Sequence, residues 1–243
     1  MTLMDHIGEL RTRLFRAAIA VAIGAVVAWF LYHDILHFLL GPLRELAPNT
    51  KLKASLVTLD PLEPFAIRIK ITTYAAVMFA MPVILWQLWR FVAPGLYSNE
   101  KKYAVWFVIS GSLLFMMGAA IAFWTVPKAL EFLKTIGGSD FTQLYGPAKY
   151  LKLIIYMMIA FGIGFEFPIL LIFLQLAGIV STAQLRQARR YAIVIIAVVV
   201  AVATPSADPI SMFALCIPMW IFYEVAIVFG RLRDRRRAKL VEA

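Results

Sequence analysis

Cysteine is almost missing from this chain. Cys216 stands alone inside an apolar run, so the chain forms no internal disulfide and offers no thiolate metal site. Charge is scarce too: 16% of residues are charged and 62% are hydrophobic, across 243 residues. A soluble domain of this length buries its core with far less apolar sequence, so the excess requires lipid as solvent. The three histidines, His6, His33 and His37, fall at or outside the expected membrane boundary. His33 and His37 are spaced to share a helix face, but no third ligand is evident and polar helix ends explain them. There is no Gly-rich phosphate loop, which argues against nucleotide hydrolysis. No intramembrane serine has a histidine at its depth, and intramembrane aspartate pairs are absent, so serine and aspartyl proteolysis have no catalytic set. An enzyme, a metal and a cofactor are all unexpected. So is a cleaved leader, because the first apolar segment is long and runs into Trp29, Phe30 and Tyr32 like a retained signal-anchor.

What is present is a series of apolar segments, and a helix crossing the hydrocarbon needs about 20 such residues. The expected spans are Leu14–Tyr32, Ile69–Trp89, Tyr103–Val126, Leu151–Ala177, Tyr191–Ala203 and Ile210–Phe229. The fold class is therefore an all-α integral membrane protein with six transmembrane helices in one polytopic domain, 1–243. The last two spans are short. The fifth covers only about 20 Å of a core about 30 Å thick. Pro82, Pro168 and Pro218 fall inside spans and should kink them, giving a curved wall with a concave side. Pro42, Pro48, Pro61 and Pro64 suggest a rigid cap in the 33–68 loop, with Leu56–Leu59 as a short extended piece.

The net charge of +10 is topological rather than a sign of nucleic acid. The N-terminus, residues 90–102, residues 178–190 and the tail 230–243 together carry fifteen basic residues against five acids. The other side carries nine basic residues and seven acids over longer loops. The positive-inside rule puts both termini in the cytoplasm. The tail beginning at Arg231 reads as a topology anchor before it reads as an RNA or anionic-lipid contact.

Carboxylates remain as the candidate functional groups. Glu166 lies near the centre of the fourth span, bracketed by Gly162, Gly164 and Pro168. An ionisable residue at that depth costs about 2.5–3.5 kcal/mol on insertion scales, so it should face a cavity or a partner. Glu9 falls on a short amphipathic stretch marked by Leu3, Ile7, Leu10 and Leu14, and could simply pair with Arg13 one helical turn on. Glu100 precedes the third span, where a helix dipole favours an acid. Asp208 is placed to cap the sixth helix. Glu224, near the cytoplasmic edge of the last span, is placed to snorkel or to pair with a nearby arginine such as Arg231.

Four blocks carry a family resemblance. They are DHIGELRTRL from Asp5, MPVILWQLWRFVAPGLYSNEKK from Met81, FGIGFEFPILL from Phe161, and TPSADPISM from Thr204 with Ile217-Pro218-Met219 and Tyr223-Glu224 beyond it. From about Met4 to Arg231 the chain resembles the TatC family, the receptor and core subunit of the twin-arginine translocase. The resemblance implies recognition of twin-arginine signal peptides at the cytoplasmic face, through Glu9 and Glu100, with Phe91 packing on the peptide. Carboxylates suit this task because a guanidinium pair stays charged and bonds them bidentately. It further implies export of folded cargo, driven by the proton motive force, with TatA- and TatB-like single-span partners and with other copies of the chain. It places the protein in the inner membrane of a prokaryote. Glu166 matches the family's intramembrane acid. Thr204 and Asp208 match polar positions where the partners dock, although the turn is one residue longer and Met212 stands where some relatives have glutamine.

One rival reading needs no motif: a proton-coupled small-molecule transporter with Glu166 as its site. Six kinked spans allow it. An inverted repeat would support it, and none is evident. On composition and spans alone the transporter ranks first; the four blocks reverse that order.

Overall fold

The computed structural model describes residues 3–45, 60–92, 104–137, 147–204 and 208–241. All regular structure among them is helical. In chain order the helices are α1 (Leu3–Phe30), α2 (Tyr32–Leu39), α3 (Gly41–Glu45), α4 (Glu63–Val92), α5 (Ala104–Gly137), α6 (Pro147–Leu176), α7 (Thr182–Gln187), α8 (Arg189–Ala203) and α9 (Pro209–Val241). The expected extended piece Leu56–Leu59 lies outside the described residues.

Among the described residues five helices are long and apolar enough to cross a membrane: α1, α4, α5, α6 and α9. The segment expected as a fifth span is α8, a helix of 15 residues. At 1.5 Å per residue that is about 22 Å, too short to cross the hydrocarbon core upright.

Several helices outrun their apolar segments. α5 passes Val126 and ends at Gly137, shortening the expected 127–150 loop. α4 begins at Glu63, with Pro64 in its first turn, where a missing amide costs nothing. α9 continues beyond Phe229 through the basic tail to Val241, because arginine and lysine are good helix formers. Pro82, Pro168 and Pro218 sit inside continuous helices, and so does Pro127. Each deprives the carbonyl four residues earlier of its helical donor, as membrane helices tolerate.

α6 is the central helix. Half of its apolar window is buried, against 11% for α1, which lies at the periphery. Ile154, Met157, Phe161 and Phe165 of α6 are buried among side chains of α4, α5 and α9. Glycine permits the tightest seam. A Cβ on Gly118 of α5 would stand 2.6 Å from the Phe161 carbonyl oxygen of α6, closer than real Cβ contacts come. α1 packs along α4 in the same manner: a Cβ on Gly24 would stand 2.8 Å from the Ala76 carbonyl oxygen.

The segment after α1 folds back onto the bundle, as a cap should. Phe38 stacks on Phe123 at 4.3 Å, and the Tyr150 hydroxyl donates to the Leu39 carbonyl at 2.9 Å. At the other end α6 closes through Gly178, whose φ of 72° suits glycine. A capping box between Ser181 and Gln184 then starts α7.

Candidate functional site

α1 and α4 run antiparallel. Gly24 faces Ala76, and the Arg68 guanidinium lies 4.1 Å from the Trp29 ring and donates to the Trp29 carbonyl at 3.5 Å. Fifteen residues back from Gly24 is Glu9, and fifteen on from Ala76 is Phe91. The register therefore puts these two candidate residues at one level of the bundle.

Glu9 is ion-paired with Arg13, one turn along α1, whose Nε donates to Glu9 Oε1 at 3.0 Å. This is the i,i+4 pair that the sequence suggests. Glu9 Oε2 is enclosed, with no hydrogen-bond partner among the described residues. Phe91 is half-buried in the last turn of α4. Glu100 lies outside the described residues.

Just deeper than Phe91, three rings close the space between α4, α5 and α6. Trp89 is 2% exposed; its ring centroid lies 4.7 Å from Phe107 and 6.0 Å from Phe173. Glu166 follows two turns further along α6. Its approach to α5 depends on Gly111, where a Cβ would meet Glu166 Oε2 at 3.1 Å and Leu85 Cδ1 at 2.8 Å. Glu166 Oε1 is buried without a hydrogen-bond partner among the described residues. Gln87 Oε1 of α4 and Ser112 Oγ of α5 are in the same state. Unpaired buried polar atoms are costly, so three on neighbouring helices mark a polar depth inside the bundle. Sequence reasoning singled out Glu166 but missed Gln87 and Ser112, although each is a polar residue inside an apolar run. The aromatic layer carries no local signal, since its rings come from three helices.

At the α8–α9 turn, Thr204 is 3% and Asp208 1% exposed. The Thr204 hydroxyl donates to the Val200 carbonyl at 2.9 Å. Asp208 Oδ1 accepts from the Ser211 amide at 2.7 Å and so caps α9, as expected. Both side chains are turned into their own chain.

Glu224 forms the expected ion pair with an arginine, but it is Arg189 of α8 at 2.5 Å rather than Arg231 of its own helix. Arg231 lies two turns further along α9 itself. Arg189 opens α8, which packs beside α9 and so delivers the guanidinium laterally. A second link, also missed, centres on Gln175 of α6. Its amide donates to the Ala226 carbonyl at 3.0 Å, and Arg233 donates to the Gln175 carbonyl at 2.6 Å. Thr182 donates to Asp234 at 2.8 Å beside them.

Five long apolar helices among the described residues, polar groups buried at depth and charge concentrated at helix ends define a multi-pass membrane protein. The family model described as "Sec-independent protein translocase protein (TatC)" matches residues 5–218. A TatC protein of Aquifex aeolicus is 37% identical, with both chains covered in full. One from Frankia casuarinae is 39% identical over 98% of this chain and 68% of its own length. A crystal structure of the "Twin Arginine Translocase Receptor- TatC" superposes with a TM-score of 0.77 at 37% identity, covering 93% of this chain and 98% of that one. The chain belongs to the TatC family and is a multi-pass bacterial membrane protein of the twin-arginine translocase. Its relatives are named as components of a protein translocase, which gives the small-molecule transporter reading no support.

Proposed function

We propose that this chain is the signal-peptide receptor and core subunit of its translocase. In this reading it crosses the inner membrane six times with both termini in the cytoplasm; α8 is the one short span, while α9, expected to be short as well, is long enough to cross. It assembles with TatA- and TatB-like single-span partners and with further copies of itself. Export of folded cargo is driven by the proton motive force.

The observation that carries the reading is the common level of Glu9 and Phe91 at the mouth of the bundle. Among the described residues Glu9 is ion-paired with Arg13 of its own helix, and such an i,i+4 pair is worth about 0.2–0.5 kcal/mol. A signal-peptide arginine offers the same carboxylate a charge-assisted, bidentate bond. Displacing Arg13 therefore costs little. Glu100 receives the second arginine, and Phe91 packs on the apolar part of the peptide. Glu166 serves later, hydrating the cavity or meeting a polar group of a partner helix. Thr204 and Asp208, at the end of α8 and the start of α9, mark where the partners dock. Glu224, through Arg189, ties α8 to α9.

A photo-crosslinking side chain at position 91 tests this directly. A twin-arginine peptide should be captured and its twin-lysine counterpart should not. Equal capture of both peptides would contradict the reading.

A further inference from the structure

Two cavities open at the end of the bundle opposite Glu9. The first holds about 190 Å³ and is almost wholly apolar, walled by Phe38 and Leu39 of α2, Met78 and Phe79 of α4, Met116 of α5 and Met158 of α6. It exceeds the roughly 150 Å³ apolar cavity that admits a benzene ring. The second holds about 230 Å³ between the first turns of α4 and α6, where Lys70 and Lys152 line it. Ile71, Tyr74 and Ile155 belong to both walls, so the two spaces adjoin.

The lysines stand at a telling depth. The apolar stretch Glu63–Phe91 of α4 has 29 residues, about 43 Å, which matches a bilayer with its headgroup layers. Lys70 lies about 10 Å in from the α4 start and Lys152 about 8 Å in from the α6 start, where headgroup meets hydrocarbon. Both are exposed, and neither has an ion-pair partner among the described residues. Glu63 sits beside this mouth, where its Oε1 accepts at 3.2 Å from the amide of Ala148, which lines the second cavity. Two cations at headgroup level above an apolar slot have the chemistry of one ligand class.

We propose that this is a binding site for an anionic phospholipid. The phosphate sits between Lys70 and Lys152, and an acyl chain enters the slot between α2, α4, α5 and α6. The lipid would pin the cap helix α2 to the bundle. Neither cavity involves Glu9, Phe91 or Glu166, so the proposal stands apart from the receptor reading.

The test is native mass spectrometry of the full chain, delipidated in detergent and supplied with phosphatidylglycerol or phosphatidylcholine. The wild type should retain one phosphatidylglycerol with a preference of about tenfold or more, given two lysines at the surface. Lys70→Gln with Lys152→Gln should abolish that preference. Ala75→Phe, which fills the slot from α4, should lower retention of both lipids. The lysine pair is exposed, so its variant tests the site even if Ala75→Phe fails to fold. Undiminished preference in the double-lysine variant would overturn the proposal. So would displacement of the lipid by inorganic phosphate alone, which would make the occupant a free anion.

Discussion

Gly111 and Glu166 meet across the α5–α6 seam, so closely that a Cβ on the glycine would stand 3.1 Å from a carboxylate oxygen. The carboxylate is admitted to the seam by the absence of a side chain opposite it, and its other oxygen finds no hydrogen bond among the described residues. A group kept at this cost is expected to serve something other than folding.

Stability and function should therefore separate at position 166. Glu166→Leu removes an unpaired buried polar group and should stabilise the protein by about 1–3 kcal/mol, seen as a raised unfolding midpoint in detergent. Glu166→Gln keeps the shape but removes the charge. It should leave the fold intact while lowering export and partner crosslinking. Unchanged export and crosslinking in Glu166→Gln would show that the charge has no part in function.

The glycine seams should rank by what their Cβ would strike. At Gly118 it meets the Phe161 backbone, which cannot move alone; at Gly111 the nearest atom is the flexible end of Leu85. Gly118→Ala should cost more than the about 1–3 kcal/mol typical of overpacking, and Gly111→Ala less. Thermal unfolding of the two variants checks the order.

The α8–α9 link should be weak as a source of stability. The side chains of Arg189 and Glu224 are 39% and 32% exposed, so solvent screens their attraction. A double-mutant cycle on Arg189→Ala and Glu224→Ala should return a coupling of about 0.2–1 kcal/mol.

Gln175 is a different case, because it is buried and joins α6 to α9. Gln175→Leu removes the α6 hydrogen bond to the Ala226 carbonyl and should destabilise by about 0.5–1.5 kcal/mol, measured by denaturant titration.

Much of this was legible in the residues. Apolar runs near 20 residues marked the long helices, and Glu166 stood out because charge in lipid is rare. The i,i+4 spacing of Glu9 and Arg13 predicted their pair, and the position of Asp208 predicted a cap. Helix ends were misjudged where polar sequence continued a helix, as in the basic tail after Phe229, since hydropathy marks lipid and not the end of hydrogen bonding. That Glu224 would meet an arginine was legible, but sequence shows neighbours along a helix such as Arg231, whereas Arg189 arrives from another one. The Trp89–Phe107–Phe173 layer and the level shared by Glu9 and Phe91 exist only once helices pack.

The central claim is that two acids, Glu9 and Glu100, read paired arginines. Its most direct measurement is equilibrium binding of Arg-Arg and Lys-Lys signal peptides to the wild type, Glu9→Ala and Glu100→Ala. The account predicts a clear Arg-Arg preference in the wild type, and a loss of about 1.5–3 kcal/mol of Arg-Arg binding in each variant, as for a charge-assisted hydrogen bond. Variants that bind both peptides as the wild type does would contradict it.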